Sequence, residues 1–133
     1  MGTEGTGVCC WNARALAHHD KHLRNLKIRE VEQLCSKFSI VVVLEAHGNL
    51  IWLQNLLRTC MRTHHLHGSS CIGSDGTIDE GSGGIVSLVS KTLGEDISLL
   101  PVYFPLVPGR AIIFHINAKD GVKADWMFVH NYG

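Results

Sequence analysis

The sequence lacks an excess of charge of either sign. It has 12 Lys and Arg residues against 12 Asp and Glu residues, so the formal net charge is zero with the nine histidines counted as neutral. A general electrostatic attraction to nucleic acid is therefore excluded, and such a partner would have to be bound by local contacts. The 133 residues are 45% hydrophobic and 18% charged, which is typical of a globular domain, or part of one, and excludes a disordered chain.

No C-x-x-C pair occurs, and the number of cysteines is odd, at five. Both facts argue against a disulfide framework and against a zinc site built from cysteines. The histidine clusters at 18–22 and 64–67 lack a nearby Cys or Glu that would complete a zinc site, so surface histidines are the better interpretation. Reduced cysteines are typical of proteins inside the cell.

No stretch approaches the roughly 18 consecutive apolar residues that a membrane-spanning helix needs. The start of the chain, MGTEGTGVCC, has neither a basic beginning nor a long apolar segment, so we expect no signal peptide. Residues 1–6 are expected to be a flexible lead-in. We therefore predict an intracellular protein, nuclear or cytoplasmic, that is not secreted and has no membrane partner.

Strand and helix alternate at the beginning of the predicted fold. Strands are expected at Val8–Asn12 and Ile40–Leu44, and the second of these is a continuous apolar run, typical of a strand buried on both faces. Between them, apolar residues at three-to-five-residue spacing predict an amphipathic helix with Asp20 as its N-cap. This order of elements indicates a βαβ-like beginning.

A second helix and then strands follow. Asn49 is expected to cap a helix whose apolar stripe runs to Met61, and Trp11 and Trp52 are expected to pack in the core. A strand is expected within residues 64–72, and the Gly/Ser/Asp-rich segment 73–84 predicts an exposed, mobile loop. The remaining patterns predict an antiparallel meander with strands at Ile85–Ser90, 97–104, 110–116 and 126–131.

The fold class predicted from these elements is α/β (α+β). We expect a layered α/β sandwich with a mixed sheet, two N-terminal helices and a C-terminal antiparallel meander. Polar side chains follow two of its buried strands, Asn12 after the first and Glu45 after the next. If the two strands are neighbours, an amide and a carboxylate meet at one edge, where a hard cation such as Mg²⁺ can bind. On pattern alone, strand ends that simply meet solvent are commoner.

Several motifs resemble the endonuclease/exonuclease/phosphatase superfamily and occur in its order. W-N-A-R-A-L, with Asn12 and Arg14, resembles the family's W-N-x-R-G-L opening, and V-L-E-A-H, with Glu45 and His47, resembles its L-Q-E-T-H motif. S-G-G-I-V-S-L-V-S-K resembles the strand G-G-V-A-I-L-V-S-K, while P-G-R-A-I-I-F-H-I and F-V-H-N-Y-G resemble the paired strands that end in N-x-Y-A. The resemblance covers residues 7–133 and is nearest to the endonuclease domains of LINE-type retroelements, which are related to apurinic endonucleases.

The resemblance implies a role for each matching residue. Glu45 would be the ligand of Mg²⁺ (or Mn²⁺), Asn12 the active-site amide, and Tyr132 the phenol beside the scissile phosphate. The contacts to phosphate or nucleic acid would come from three further residues, Arg14, His47 and Asn131. In this family the metal polarises the phosphodiester and an activated water attacks in line.

The chain departs from the family pattern at four positions and in its later part. Ala15, Leu44 and Ala46 stand where the family has Gly, Gln and Thr, and His130 stands where it has Asn. The family's G-D-x-N and S-D-H motifs, which carry further catalytic residues, do not occur after Tyr132. We therefore expect residues 7–133 to be the N-terminal portion of the domain, with little or no turnover by the isolated chain.

The predicted function is that of a magnesium-dependent phosphodiester hydrolase, namely a truncated DNA endonuclease domain of retroelement type. The expected partner is nucleic acid, DNA rather than RNA, and the full-length polypeptide is expected to include a reverse transcriptase region. Two alternatives stay open. The chain is an inactive remnant or incomplete gene model without turnover, or it is a phosphatase of the same fold that acts on inositol lipids or sphingomyelin.

Overall fold

The computed structural model describes residues 7–81, 83–92, 97–107, 111–118 and 123–129. For the last three of these ranges it describes the strands of the backbone but not the side chains. Residues in these ranges form helices α1 (Lys21–Lys37) and α2 (Leu50–Leu56) and a 3₁₀ helix (Cys60–Arg62). The strands are β1 (Val8–Asn12), β2 (Ile40–Leu44), β3 (His64–Ser69), β4 (Cys71–Ile72), β5 (Ile78–Asp79), β6 (Ile85–Ser90), β7 (Ile97–Val107), β8 (Ala111–Ala118) and β9 (Lys123–Val129).

Four strands form one mixed sheet in the order β1, β2, β6, β3. Strands β1 and β2 are parallel and are connected through α1, whereas β6 is antiparallel to both β2 and β3. Strand β2 therefore lies inside the sheet, and all five of its residues are buried. This burial explains why the run is apolar without alternation, because neither of its faces meets water.

Both helices begin at the predicted caps. The Asp20 carboxylate accepts hydrogen bonds from the backbone N–H groups of His22 and Leu23 at 2.9 and 3.2 Å. The Asn49 side-chain oxygen accepts one from the N–H of Trp52 at 2.8 Å. Each cap satisfies donors that the first turn of a helix leaves unpaired, which is why these two residue types begin helices.

The second helix is shorter than predicted. It ends at Leu56, and Leu57 leaves the helical region with φ −103° and ψ 23° before the 3₁₀ helix begins at Cys60. Leu57 and Cys60 are nevertheless buried. The apolar stripe thus continues through a tighter turn. A spacing pattern does not separate the two helix types, because both place every third or fourth residue on one side.

One hydrophobic cluster joins the sheet to the helices. Its members come from β2, β6, α1, the α2 region and the loop after β1, and they include Leu16, Val31, Val41, Val43, Leu53, Leu57 and Leu88. Trp11 packs against this cluster, as predicted. The prediction for Trp52 is wrong, since 37% of its surface is exposed and the Arg24 guanidinium lies 5.6 Å from its ring centroid. Part of the Trp52 ring is therefore covered by the Arg24 cation and not by core side chains.

The segment 73–84 is only partly the exposed loop that the sequence predicts. Strand β5 lies within it and pairs with β4, Cys71 opposite Asp79 and Ile72 opposite Ile78. At its end, Gly83 and Gly84 are buried. The glycine-rich composition reflects close backbone approach at that end as well as turn formation.

Three of the four strands of the predicted antiparallel meander form a sheet in the order β7, β8, β9. The prediction is wrong for Ile85–Ser90, which as β6 pairs with β2 and β3 in the mixed sheet, because strand pairing does not follow from order along the chain. Strands β7 and β8 run past their predicted ends, and β9 begins earlier than predicted. The mixed α+β architecture with two helices and a mixed sheet is thus confirmed. Within the described ranges, no helix is both long enough and apolar enough to cross a membrane.

Candidate functional site

The ends of β1 and β2 bring Asn12 and Glu45 to one edge of the sheet. The strands are parallel neighbours with Asn12 opposite Leu44, and Glu45 is the next residue along. The pairing continues for one residue past β1, because the N–H of Ala13 donates to the Leu44 carbonyl at 3.0 Å. Asn12 is exposed and Glu45 is half-buried. The condition that the sequence left open, adjacent strands, is therefore met.

The loop after β1 is tied to the backbone of Glu45 and Ala46. The Glu45 carbonyl accepts hydrogen bonds from the N–H groups of Ala15 at 2.8 Å and Leu16 at 3.3 Å. The Ala46 carbonyl accepts one from Ala17 at 2.9 Å. These bonds fix the loop that carries Arg14 against the strand end that carries the acid.

Positive φ angles concentrate at this edge. The four non-glycine residues that adopt them here are Arg14 (48°), Ala15 (72°), Glu45 (54°) and His47 (58°). A left-handed conformation costs a non-glycine residue about 1–2 kcal/mol, so surrounding contacts must hold it. The backbone hydrogen bonds of Glu45 and Ala46 supply such contacts. Strained backbone of this kind is frequent at functional sites.

Two glycines hydrogen-bond to the backbone of the residues that follow Glu45. The N–H groups of Ala46 and His47 donate to the carbonyls of Gly84 and Gly83, both at 3.0 Å. Gly84 has φ +86°, and a Cβ added there would lie 3.2 Å from the backbone nitrogen of His47. A side chain at this position would press on the segment behind Glu45. This is the physical reason for glycine there.

Lys27 of α1 reaches into the site, which the sequence did not indicate. Its ammonium donates hydrogen bonds to the carbonyls of Arg14 and of Ala15, the latter at 3.2 Å. Burial lowers the pKa of Lys27, as does the Arg14 charge, while the Glu45 carboxylate opposes them. In the sequence Lys27 belongs to the polar face of an amphipathic helix, and no local signal separates it from its solvated neighbours.

The Asn12 side chain is held by its own loop. Its Oδ1 accepts a hydrogen bond from the N–H of Arg14 at 3.0 Å, an arrangement typical of asparagine at turns. Arg14 itself is exposed. The edge therefore collects one amide, one carboxylate and two cations within a short stretch of surface.

The donor chemistry fits a hydrated Mg²⁺ ion. This ion prefers oxygen ligands, keeps several of its waters and is commonly held by only one or two carboxylates. Glu45 would supply the carboxylate and Asn12 an amide oxygen. Among the residues whose side chains are described, no three His, Cys, Asp or Glu groups are placed to share a metal.

The predicted site residues divide into two groups. The structure brings Asn12, Arg14, Glu45 and His47 to one edge of the sheet. Tyr132 and Asn131 lie outside the described residues. Comparison with known proteins identifies no family, because no family model and no curated protein matches the chain.

Proposed function

We propose that this chain forms part of a magnesium-dependent phosphodiester hydrolase of the endonuclease/exonuclease/phosphatase type, with DNA as substrate. The observation that supports the proposal is the meeting of Asn12 and Glu45 at the ends of adjacent parallel strands. Ligands of open α/β sheets bind outside the carboxyl ends of strands, which is where these two residues lie. The mixed sheet and the separate three-stranded antiparallel sheet are compatible with a layered sandwich.

Glu45 is the proposed metal-holding residue. Its carboxylate would bind Mg²⁺ directly, and its half-buried position reduces competition from solvent. When bound, the ion would polarise a phosphodiester and neutralise its charge. The backbone bonds of Ala15, Leu16, Ala46 and His47 hold the peptide units on both sides of Glu45 in place for this role.

Arg14 and Lys27 make the edge locally positive in a chain whose formal net charge is zero. Phosphate recognition here would depend on such local cations, because the whole molecule contributes no attractive field. The exposed Arg14 guanidinium can bind two phosphate oxygens at once, and Asn12 would add a hydrogen bond to a non-bridging oxygen. His47, Asn131 and Tyr132 are proposed as further contacts to the substrate.

The metal site is testable on the chain itself. Mn²⁺ is paramagnetic and replaces Mg²⁺ at oxygen sites, so it broadens the NMR signals of nearby amides. We expect selective broadening at Ala13, Ala15 and Ala46, reversed by a chelator and absent in Glu45→Gln. Glu30→Gln, which removes an exposed carboxylate of α1, is the matched control and should leave the broadening unchanged. Equal broadening in the wild-type chain and in Glu45→Gln would contradict the proposal.

Turnover is a separate question, because these 133 residues contain no G-D-x-N or S-D-H motif. We expect little nicking of supercoiled plasmid by the 133-residue chain. The longest natural polypeptide that contains it should nick the plasmid with Mg²⁺ and lose this activity in Glu45→Gln. Intact plasmid with the long polypeptide would exclude DNA as substrate. Release of phosphate from inositol lipids would then support a phosphatase, and no turnover at all would support a remnant.

A further inference from the structure

A second group of reactive side chains lies at the opposite end of the four-stranded sheet. Ile40, at the start of β2, pairs with Val89, and His64, at the start of β3, pairs with Ser90. Glu45 follows the other end of β2, so the two edges are separated by the length of the strands. A cavity of about 680 Å³ lies at the His64 edge, and Cys35 and Cys60 both line it.

The two cysteines come from different elements. Cys35 is in the last turn of α1, half-buried against the core, and Cys60 begins the 3₁₀ helix with 3% of its surface exposed. Both side chains line this cavity, and the two helices that carry them are in contact. A disulfide between them would require the sulfurs to approach to about 2.0 Å. Cys35 lies where α1 ends, and helix ends adjust more easily than helix interiors.

The two thiols differ in pKa. Interaction with the Cys35 thiol lowers the pKa of Cys60, although burial and the Glu32 charge oppose this effect. Interaction with Cys60, followed by burial, raises the pKa of Cys35. The cavity is also lined by two basic side chains, Arg62 and Lys91, and by one acidic side chain, Glu32. Cys60 is therefore the better nucleophile of the pair, and Cys35 is the thiol that would react with Cys60 after its oxidation.

We propose that Cys35 and Cys60 form a redox-active dithiol that peroxide converts to an intramolecular disulfide. The Cys60 thiolate attacks one peroxide oxygen, the O–O bond breaks, and the leaving hydroxide takes a proton to become water. Cys60 is then a sulfenic acid. Cys35 gives up its proton, its sulfur attacks the sulfur of Cys60, and the hydroxyl group leaves as a second water. One peroxide is reduced to two waters while two thiols are oxidised to one disulfide.

The other cysteines do not offer an equivalent pair. Cys9 and Cys10 are neighbours along β1, where consecutive side chains point to opposite faces of the sheet. Burial raises the pKa of both thiols. Cys71 is buried on β4, which pairs with β5 in a different sheet, and it does not line the cavity that Cys35 and Cys60 share. Oxidation of the folded chain should therefore select one pairing out of the several that five cysteines allow.

The experiment treats the reduced, folded chain with hydrogen peroxide, blocks the remaining thiols with N-ethylmaleimide, and maps the unreduced peptides by mass spectrometry. We expect one dominant cross-linked peptide that joins Cys35 to Cys60, with the intact chain lighter by two hydrogen atoms before blocking. Cys9, Cys10 and Cys71 should be recovered as maleimide adducts. A mixture of pairings, a Cys9–Cys10 bridge, or separate oxidation of single cysteines would overturn the proposal.

Two variants test the order of events. Cys35→Ser removes the second thiol, so Cys60 should accumulate as a sulfenic acid that dimedone traps. Cys60→Ala removes the nucleophile, so Cys35 should remain reduced under the same treatment. Cys71→Ser is the control and should form the same disulfide as the wild-type chain. Trapping at Cys35 in Cys60→Ala, at the wild-type rate, would contradict the assigned roles. The wild-type peptide map decides the pairing even if a variant fails to fold.

Discussion

At the scale of single residues, one ammonium group connects a helix to the loop beside the candidate metal ligand. Lys27 bonds to two consecutive carbonyls, those of Arg14 and Ala15, and both residues have left-handed backbone conformations. Carbonyl groups in such a loop lack partners from regular secondary structure. A long side chain that ends in three donors can satisfy both of them, whereas an apolar side chain of similar length cannot.

Lys27→Met should lower the free energy of unfolding by about 1 kcal/mol, because it removes these hydrogen bonds from a partly solvated position. Urea unfolding followed by circular dichroism measures the change. Lys21→Met is the matched control, since Lys21 is exposed at the start of the same helix and should change stability by less than about 0.5 kcal/mol. Equal effects of the two substitutions would show that the Lys27 contacts contribute nothing.

Lys27 and Trp52 show what a local sequence pattern does not predict, namely a contact with a residue from another segment. Both lie on helices that the spacing of apolar residues predicts, and the average behaviour of each residue type predicts a solvated lysine and a buried tryptophan. The actual position of each depends on a partner from another segment, the Arg14 loop for Lys27 and Arg24 for Trp52. Partners distant in sequence leave no periodic trace. The caps Asp20 and Asn49 were predictable because their partners lie only two or three residues away.

At the scale of elements, the end of β2 is held between two loops. The loop after β1 bonds to the carbonyls of Glu45 and Ala46, and the end of segment 73–84 bonds to the N–H groups of Ala46 and His47. The sequence predicted the first neighbour from the βαβ pattern. It did not predict the second, because Gly83 and Gly84 look like ordinary loop residues until their contact with His47 is known.

Gly84→Ala should be more destabilising than Gly76→Ala. Both glycines have φ above +80°, so alanine costs each about 1–2 kcal/mol in backbone strain. At Gly76 nothing lies within 4 Å of an added Cβ, whereas at Gly84 the His47 nitrogen lies at 3.2 Å. We expect a further loss of at least about 1 kcal/mol for Gly84→Ala, measured by urea unfolding. Equal losses would mean that the backbone at His47 moves away from the added Cβ at no cost in the free energy of unfolding.

Element boundaries were harder to predict than element types. Strands β1, β2 and β6 have the predicted limits, because each is a compact apolar run between polar or glycine-rich segments. The two-residue strands β4 and β5 were not predicted as a pair, since each gains its structure only from pairing with the other. The order β1, β2, β6, β3 could not be read from the chain, because strand pairing joins residues far apart in sequence.

At the scale of the whole molecule, the nine histidines control how charge changes with pH. His64 is buried, with one ring nitrogen 2.8 Å from the Thr63 hydroxyl and the other 3.1 Å from the Phe38 carbonyl. Burial lowers its pKa below the ordinary value of 6.5, although the Phe38 contact opposes this effect. Burial also lowers the pKa of His67, and the charge of His65 adds to the effect.

The chain should therefore lose stability on mild acidification. A histidine whose pKa is lower in the folded state binds its proton more readily when unfolded, so its contribution is complete above pH 6.5 and is lost as pH falls through the folded value. Urea midpoints should be lower at about pH 5.5 than at about pH 7.5. His64→Gln should reduce this difference, and His19→Gln, at an exposed position, should not. A pH-independent midpoint in the wild-type chain would contradict the expectation.

The position of Glu45 has a consequence for how its site would choose among ions. An interior strand on one side and two hydrogen-bonded loops around it constrain the backbone of Glu45. Such preorganisation reduces the entropy lost when a ligand binds. It also means that the backbone cannot reshape itself around ions of different radius. Discrimination between a small ion and a larger one would then rest on the rotamers of the carboxylate and on the ion's own retained waters.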